Sequence, residues 1–235
     1  SGEQKGYLLS PKDMCTIEAA KNYPEQQFAL IDAVCEGEQP ENVTSLLFED
    51  NASAYLTGLI AGRMTETNKV GFIGGMESPV ISKFDYGFRA GVKAANPDAE
   101  VMVQYANSFT DSALGKTIAN QMHSKNADII FTCAGAVGIG AIEAAKENGK
   151  KAIGVDQDQN SLAPENVITS AMKNIDVSVE EMLSKVVDGS YKGGEIIVNT
   201  LAMNGVGIPQ SSEKNVPPDV LTYVKEEAEW CAGIR

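Results

Sequence analysis

Apolar residues in this chain fall into short runs, separated by stretches in which they recur at helical spacing. The runs at 27–34, 43–48, 69–75, 100–106, 128–134, 151–156 and 167–172 read as strands, and 195–202 as a last one. Helical spacing marks 11–22, 52–65, 79–95, 111–126, 138–149, 176–188 and 218–231. Pro11 is a helix-start signal, Asp50 or Asn51 caps the segment at 52–65, Asn96-Pro97 stops the one at 79–95, and Gly149 closes the one at 138–149. Strand and helix alternate, which predicts an α/β fold of Rossmann-like parallel sheets. The loop at 204–218 is rich in Gly, Pro and Ser, and no internal repeat is present.

The block 69–172 is self-contained. Outside it, the two early strands and the 176–188 helix carry apolar faces with nothing in the chain to cover them. The pattern therefore predicts one complete lobe and one incomplete lobe.

What ends the strands is more telling than the strands themselves. FALID stops at Asp32, IIFTCAG at Ala134-Gly135, AIGVD at Asp156 and VITSAMK at Lys173. Parallel sheets take ligands just beyond the carboxyl ends of their strands. Two carboxylates, an ammonium and a glycine loop at such ends predict a site for a small polar solute.

Composition narrows the classes. The chain has 235 residues, 43% of them hydrophobic, and a net charge of −13, which argues against nucleic acid and against docking on anionic lipid through a basic patch. No run is long enough to span a bilayer, and no basic-then-apolar leader opens the sequence. Cys15, Cys35, Cys133 and Cys231 lack metal spacing and read as buried thiols, with a Cys15–Cys35 bridge as the alternative in an exported protein. His123 is the sole histidine and reads as a surface or satisfied residue, so neither a metal nor a cofactor is expected.

The ordered segments FEDNASAYLTGLIAGRM, KVGFIGGMESPVISKFDYGFRAGVKAANP, VQYANSFTD, ADIIFTCAGAVGIGAIEAAKENG, AIGVDQDQ and ITSAMK closely resemble the basic membrane protein family. These are substrate-binding lipoproteins of ABC transporters and include purine-nucleoside receptors. The resemblance runs from about Gly6 to Ile208. It implies a type I periplasmic-binding-protein architecture, two lobes joined by three crossings, with ligand between lobes that close over it. The crossings would fall near Asp50-Asn51, Lys173-Asn174 and Gly193-Gly194. Residues 1–50 and 174–194 would then be a remnant of the first lobe, and 51–173 with 195–208 the second. The lobe of 209–235 stays open. Family members open with a βαβα block carrying a DxGxxDxSFN-like ligand loop, and this sequence has none. Missing chain or a second copy would complete the first lobe. The implied partners are a nucleoside-like ligand and a membrane permease, and the implied place is extracytoplasmic, lipid-anchored at the cell membrane or periplasmic.

Site candidates follow from both lines. Asp156 ends a strand where a carboxylate accepts two hydrogen bonds from a ribose diol, and Asp32 repeats the argument in the other lobe; a helix cap or surface acid is the bland reading of each. Lys173 would donate to a sugar hydroxyl or pair with Asp156, against an ordinary solvated lysine. Gly135-Ala136-Val137-Gly138-Ile139-Gly140 is a weak dinucleotide-like signal, GxxGxG rather than GxGxxG. It reads as close backbone approach to a sugar at a helix N-terminus, or as a tight turn. Gly75 and Met76 follow another strand, with Met76 as an apolar wall. The family stacks a purine between aromatics, and Phe109 is the candidate on this lobe; Phe84, spaced i, i+4 with Phe88, reads as core.

Catalysis lacks its parts. There is no GxSxG elbow and no Cys–His pairing, and Asp156 with Asp158 are too few for a calcium-dependent nucleoside hydrolase. The expectation is a binder and not an enzyme. The rival class is a ligand-sensing regulatory lobe of the same fold.

Overall fold

A computed structural model of the chain describes residues 7–9, 13–35 and 37–233. In chain order the elements are β1 (Tyr7–Leu9), α1 (Asp13–Asn22), β2 (Phe28–Ile31), β3 (Val43–Phe48), α2 (Asp50–Met64), β4 (Lys69–Gly74), α3 (Pro79–Ala95), β5 (Glu100–Tyr105), α4 (Ser112–Ser124) and β6 (Ile129–Cys133). They continue with α5 (Ala136–Glu147), β7 (Lys151–Asp156), β8 (Val167–Lys173), α6 (Ile175–Asp188), β9 (Ile196–Asn199), β10 (Val206–Gly207) and α7 (Pro218–Cys231). The chain divides into two compact units: residues up to Glu49 with Ile175–Gly205, and Asp50–Asn174 with residues from Val206 onward.

The smaller unit holds a parallel sheet in the order β1-β2-β3-β9. Its core joins Phe28, Leu30 and Val43 to Ala20 of α1 and to Cys35. The Asn42 amide donates to the carbonyls of Ala20, Tyr23 and Gln26, which ties the end of α1 to the start of β3. The strand near 195–202 was expected in the second lobe, and this is corrected. Ile196–Asn199 lies beside Ser45–Phe48, and the Asn199 side chain donates to the Leu47 carbonyl, because the β3 edge presents a complete row of backbone groups. Apolar side chains stay open here, with Leu183 49%, Val187 88% and Ile196 53% exposed.

The larger unit carries a sheet in the order β10-β8-β7-β6-β4-β5, parallel except for the short antiparallel β10. Alternation along the central strands sends Phe72 and Phe131 to one face and Ile73 and Ile130 to the other. On the first face Phe131 packs with Phe72 (centroids 5.5 Å), Phe88 (5.1 Å) and Phe84 (6.2 Å), so the aromatic pair of α3 is core. On the second face Ile73, Ile118, Met122, Ile130 and Val137 pack under α4 and α5. Helices α2 and α3 cross closely, since a Cβ on Gly91 would meet the Tyr55 carbonyl at 2.1 Å and one on Gly58 the Phe88 carbonyl at 2.3 Å.

Residues from Val206 onward belong with this unit. The Arg63 guanidinium of α2 lies 4.4 Å from the Tyr223 ring of α7, and Thr169 of β8 shares a hydrogen bond with Ser212 at 2.8 Å. Among the cysteines, Cys35 and Cys133 are buried, but Cys231 in the last turn of α7 is exposed, contrary to the uniform burial expected. The Cys15 side chain, and with it the Cys15–Cys35 bridge, lies outside the described residues, as does the Pro11 helix start. Among the described residues no helix is long and apolar enough to cross a membrane, and no acidic, Cys or His cluster has metal-binding geometry.

Candidate functional site

Four adjacent strands of the larger unit, β8, β7, β6 and β4, end in order at Lys173, Asp156, Cys133 and Gly74. With strands about 4.8 Å apart, the two-strand step from Asp156 to the end of β4 spans about 10 Å. The sheet also changes direction here: the chain runs from β4 out to β5, then returns to β6 on the far side of β4. Such a switch point opens a crevice at the carboxyl edge, because the helices that follow β4 and β6 depart to opposite faces.

The loops at this crevice interlock. The Gly75 amide extends β4 by donating to the Cys133 carbonyl at 3.0 Å. Gly75 has no side chain because the Phe109 ring occupies that space; a Cβ would fall 2.1 Å from the ring. The Phe109 carbonyl in turn accepts the Ala136 amide at 2.8 Å. Gly135, at φ 57° and ψ −128°, holds a conformation that side chains disfavour, and it turns the chain from β6 into α5. Gly75, Phe109, Gly135 and Ala136 are thus one assembly, with Phe109 39% and Met76 50% exposed at its surface. The two later glycines of the GxxGxG run serve packing: a Cβ on Gly140 would meet the Ser112 carbonyl at 1.9 Å, and one on Gly138 would meet Thr132.

Asp156 is exposed and sits at φ 66°, a left-handed conformation that Asp and Asn tolerate best among residues with side chains. The loop behind it is fixed. Gln159 Oε1 accepts the Val155 amide at 3.0 Å, and the Gln159 amide donates to Ser170 at 3.2 Å. Gly154 makes room for that side chain, since a Cβ would fall 2.5 Å from Gln159 Oε1. In the smaller unit Asp32 repeats the device: φ is 59°, and its amide donates to the Leu46 carbonyl at 3.0 Å as β2 ends.

Lys173 differs from the solvated lysine that was one reading of it. Its side chain is 4% exposed, and its ammonium pairs with Asp50 Oδ1 at 3.1 Å, where sequence reasoning offered Asp156 as counter-ion. It also lies 5.5 Å over the Phe84 ring. Asp50 was read as a helix cap, but it stands inside the first turn of α2 and is 1% exposed. Sequence reasoning missed this pair; the only sequence feature that could have pointed to it is an acid at one expected crossing and a lysine at the next.

Parallel sheets of this order, with acids and a glycine turn at the strand ends, define an α/β binding protein of the periplasmic type. The family model for PnrA-like ABC transporter substrate-binding proteins matches residues 12–229, and the chain belongs to that family. It is 39% identical over 250 residues to the "ABC transporter nucleoside-binding protein BmpA" of Lactococcus lactis subsp. cremoris, covering 97% of this chain and 70% of that protein. It is 37% identical over 214 residues to "Basic membrane protein B" of Borreliella burgdorferi, covering 88% of this chain and 62% of that protein. A solved ABC transporter solute-binding protein from Aeropyrum pernix K1 superposes with a TM-score of 0.79 at 28% identity, over 95% of this chain and 70% of that one. The family description and the Lactococcus name are those of binding proteins, in line with the expectation of a binder.

Proposed function

We propose that this chain is the ligand-gripping part of an extracytoplasmic ABC-transporter receptor that takes a nucleoside, a purine nucleoside foremost, and delivers it to a membrane permease. Asp156 accepts the ribose diol. The Phe109 ring offers a face to the base, and the amides around Gly135 and Ala136 approach the sugar. Asp32, at the end of β2, is the smaller unit's own candidate carboxylate for a ligand, and a lipid anchor fits a protein that works at the membrane surface.

The observation that carries this reading is the exposed Asp156 at the end of β7, two strands from the Phe109–Gly75 assembly at the switch point. The ends of β7 and β4, which carry the carboxylate and the glycine under the aromatic ring, lie two strand spacings, about 10 Å, apart, a span within reach of a nucleoside. The nucleoside-binding description of the Lactococcus relative supports the same ligand class.

Calorimetry of the full-length gene product with inosine, guanosine, adenosine and cytidine tests it. Binding of at least one, with no free base released, is the expected result. Binding of a sugar or peptide in place of every nucleoside would overturn the ligand class, and release of base would make the protein a hydrolase.

A further inference from the structure

Helix α6 lies over the sheet of the smaller unit with its polarity reversed. Residues 178, 181, 182 and 185 share one helix face by their spacing, and they border the same cavity as Leu46 of β3 and Ile197 of β9. A helix that covers a sheet normally turns apolar side chains toward it. Here that face carries Ser178, Glu181, Met182 and Lys185, while Leu183 and Val187 are open to solvent. Among the described residues of α6, only Ser178 is buried. The helix thus stands off the sheet and leaves a cavity of about 190 Å³. A local rule broken without a gain in packing is the mark of a functional position.

The rim of the cavity is held in place. Tyr191 shares a hydrogen bond with Thr44 of β3, and its amide donates to the Lys185 carbonyl at 2.9 Å, so it is fastened both to the sheet and to the end of α6. The Gly194 amide donates to the Val43 carbonyl at 3.0 Å, which fixes the segment that leads from Lys192 into β9. A rim ordered in this way spares a ligand the cost of ordering it.

Charges of both signs line the rim. Glu181 and Lys185 pair at 2.9 Å. Lys192 and Glu195 stand beyond them, and among the described residues neither side chain has an ion pair. Burial raises the pKa of the Tyr191 hydroxyl in spite of its Thr44 bond, and the Glu195 charge adds to the rise, so that carboxylate acts on the same space. Leu46, Met182 and Ile197 supply an apolar lining. A simple anion here would meet two carboxylates, and a simple cation two ammoniums. The volume is below the roughly 300–1,000 Å³ of sites for drug-sized ligands. A small molecule that carries both charges and an apolar side chain answers all three features.

We infer that this cavity is a second ligand site, for a small zwitterion of the α-amino-acid class. Lys192 takes the carboxylate, Glu195 takes the ammonium, and the side chain lies on Leu46 and Ile197. The site does not rest on the nucleoside reading. Lys192 and Glu195 precede β9, whereas Asp32 follows β2, so in this parallel sheet they lie at opposite ends.

The test is calorimetric titration of the full-length product with L-alanine and L-leucine, with and without inosine. At least one amino acid is expected to bind with a Kd below about 1 mM. Its analogues that lack one charge, ethylamine and propionate or isoamylamine and 4-methylpentanoate, are expected to bind at least about tenfold more weakly. Lys192→Met and Glu195→Gln alter exposed side chains, and circular dichroism melts confirm that both variants fold. Each is expected to weaken the amino acid by about 5- to 20-fold and to leave inosine affinity within about twofold of wild type.

No binding of either amino acid at about 10 mM, equal binding of an analogue with one charge, variants that bind the amino acid like wild type, or competition between amino acid and inosine would each overturn the inference. A protein that binds the amino acid and no nucleoside would overturn the nucleoside reading alone and leave this site standing.

Discussion

The side-chain oxygen of Gln159 accepts the backbone amide of Val155 at 3.0 Å, one residue before the acid that ends β7. Asp156 holds φ 66°, which costs a residue with a side chain of order 1 kcal/mol unless its surroundings enforce it. The bond from Gln159 and the contact with Gly154 supply that enforcement. Replacing Gln159 with Leu removes the acceptor of the part-buried Val155 amide. The expected outcome is a loss of about 1–3 kcal/mol in urea unfolding, with weaker nucleoside binding. Unchanged stability would show that another group fills the role.

The space over Gly75 is a second point of test. A Cβ there would overlap the Phe109 ring at 2.1 Å, so Gly75→Val must move the ring off its place between β4 and β6. If Phe109 stacks on the base, affinity falls by the stacking contribution, about 1–3 kcal/mol or roughly 5- to 150-fold, and Phe109→Ala gives a loss of the same size. Equal affinities of wild type and Phe109→Ala would remove the ring from the site.

Gly135 is constrained by conformation rather than by space alone. At φ 57° and ψ −128° it lies outside what alanine adopts comfortably, and a Cβ would also approach the Phe109 carbonyl at 2.8 Å. Gly135→Ala is expected to destabilise the protein by about 1–3 kcal/mol in chemical denaturation. Gly149, also at positive φ but with nothing near its Cβ position, is expected to cost less when changed to Asn. Equal costs at the two sites would contradict the account of the β6–α5 turn.

Acid pH should find His123 in α4. Its Nδ1 bonds the Ala127 carbonyl at 2.9 Å, and burial, helped by the Lys150 charge, holds its pKa below the usual 6.5 in spite of Asp128. The folded protein thus resists a proton that the unfolded chain accepts. Stability is present above pH 6.5 and declines as pH falls below it, until the folded-state value is reached. A urea-unfolding series from pH 7.5 to 5 reads this slope, as about one proton taken up on unfolding. His123→Gln is expected to flatten that part of the profile. An unchanged slope would assign it to other groups.

Much of the larger unit was legible in the sequence, and the reasons are local. Ser78-Pro79 sets the start of α3, with the Ser78 hydroxyl accepting the Ile81 amide, and Asp111 caps α4 through the Leu114 amide. Strands β4, β6, β7 and β8 are apolar on both faces, and such runs stand out. Asp32 and Asp156 were legible as strand ends, but their shared left-handed backbone was not, because it depends on the bonds beyond each strand.

What escaped was non-local or very short. β1 and β10, of three and two residues, carry no periodicity to read. The placement of β9 turned on an open edge of β3, which lies some 150 residues away in sequence, as the 152-residue separation of the Asn199–Leu47 bond shows. The Asp50–Lys173 pair links residues from two crossings, and only the fold brings them to 3.1 Å.

The central claim is that the carboxylate ending β7 grips the sugar of a nucleoside. It is tested most directly by comparing nucleoside affinity of the full-length wild type with that of Asp156→Asn, which keeps the shape and the tolerance for left-handed backbone but removes the charge. The account predicts tight binding by the first and a loss of about 10- to 100-fold in the second, with stability unchanged within about 0.5 kcal/mol. Equal affinity in the two proteins would contradict it.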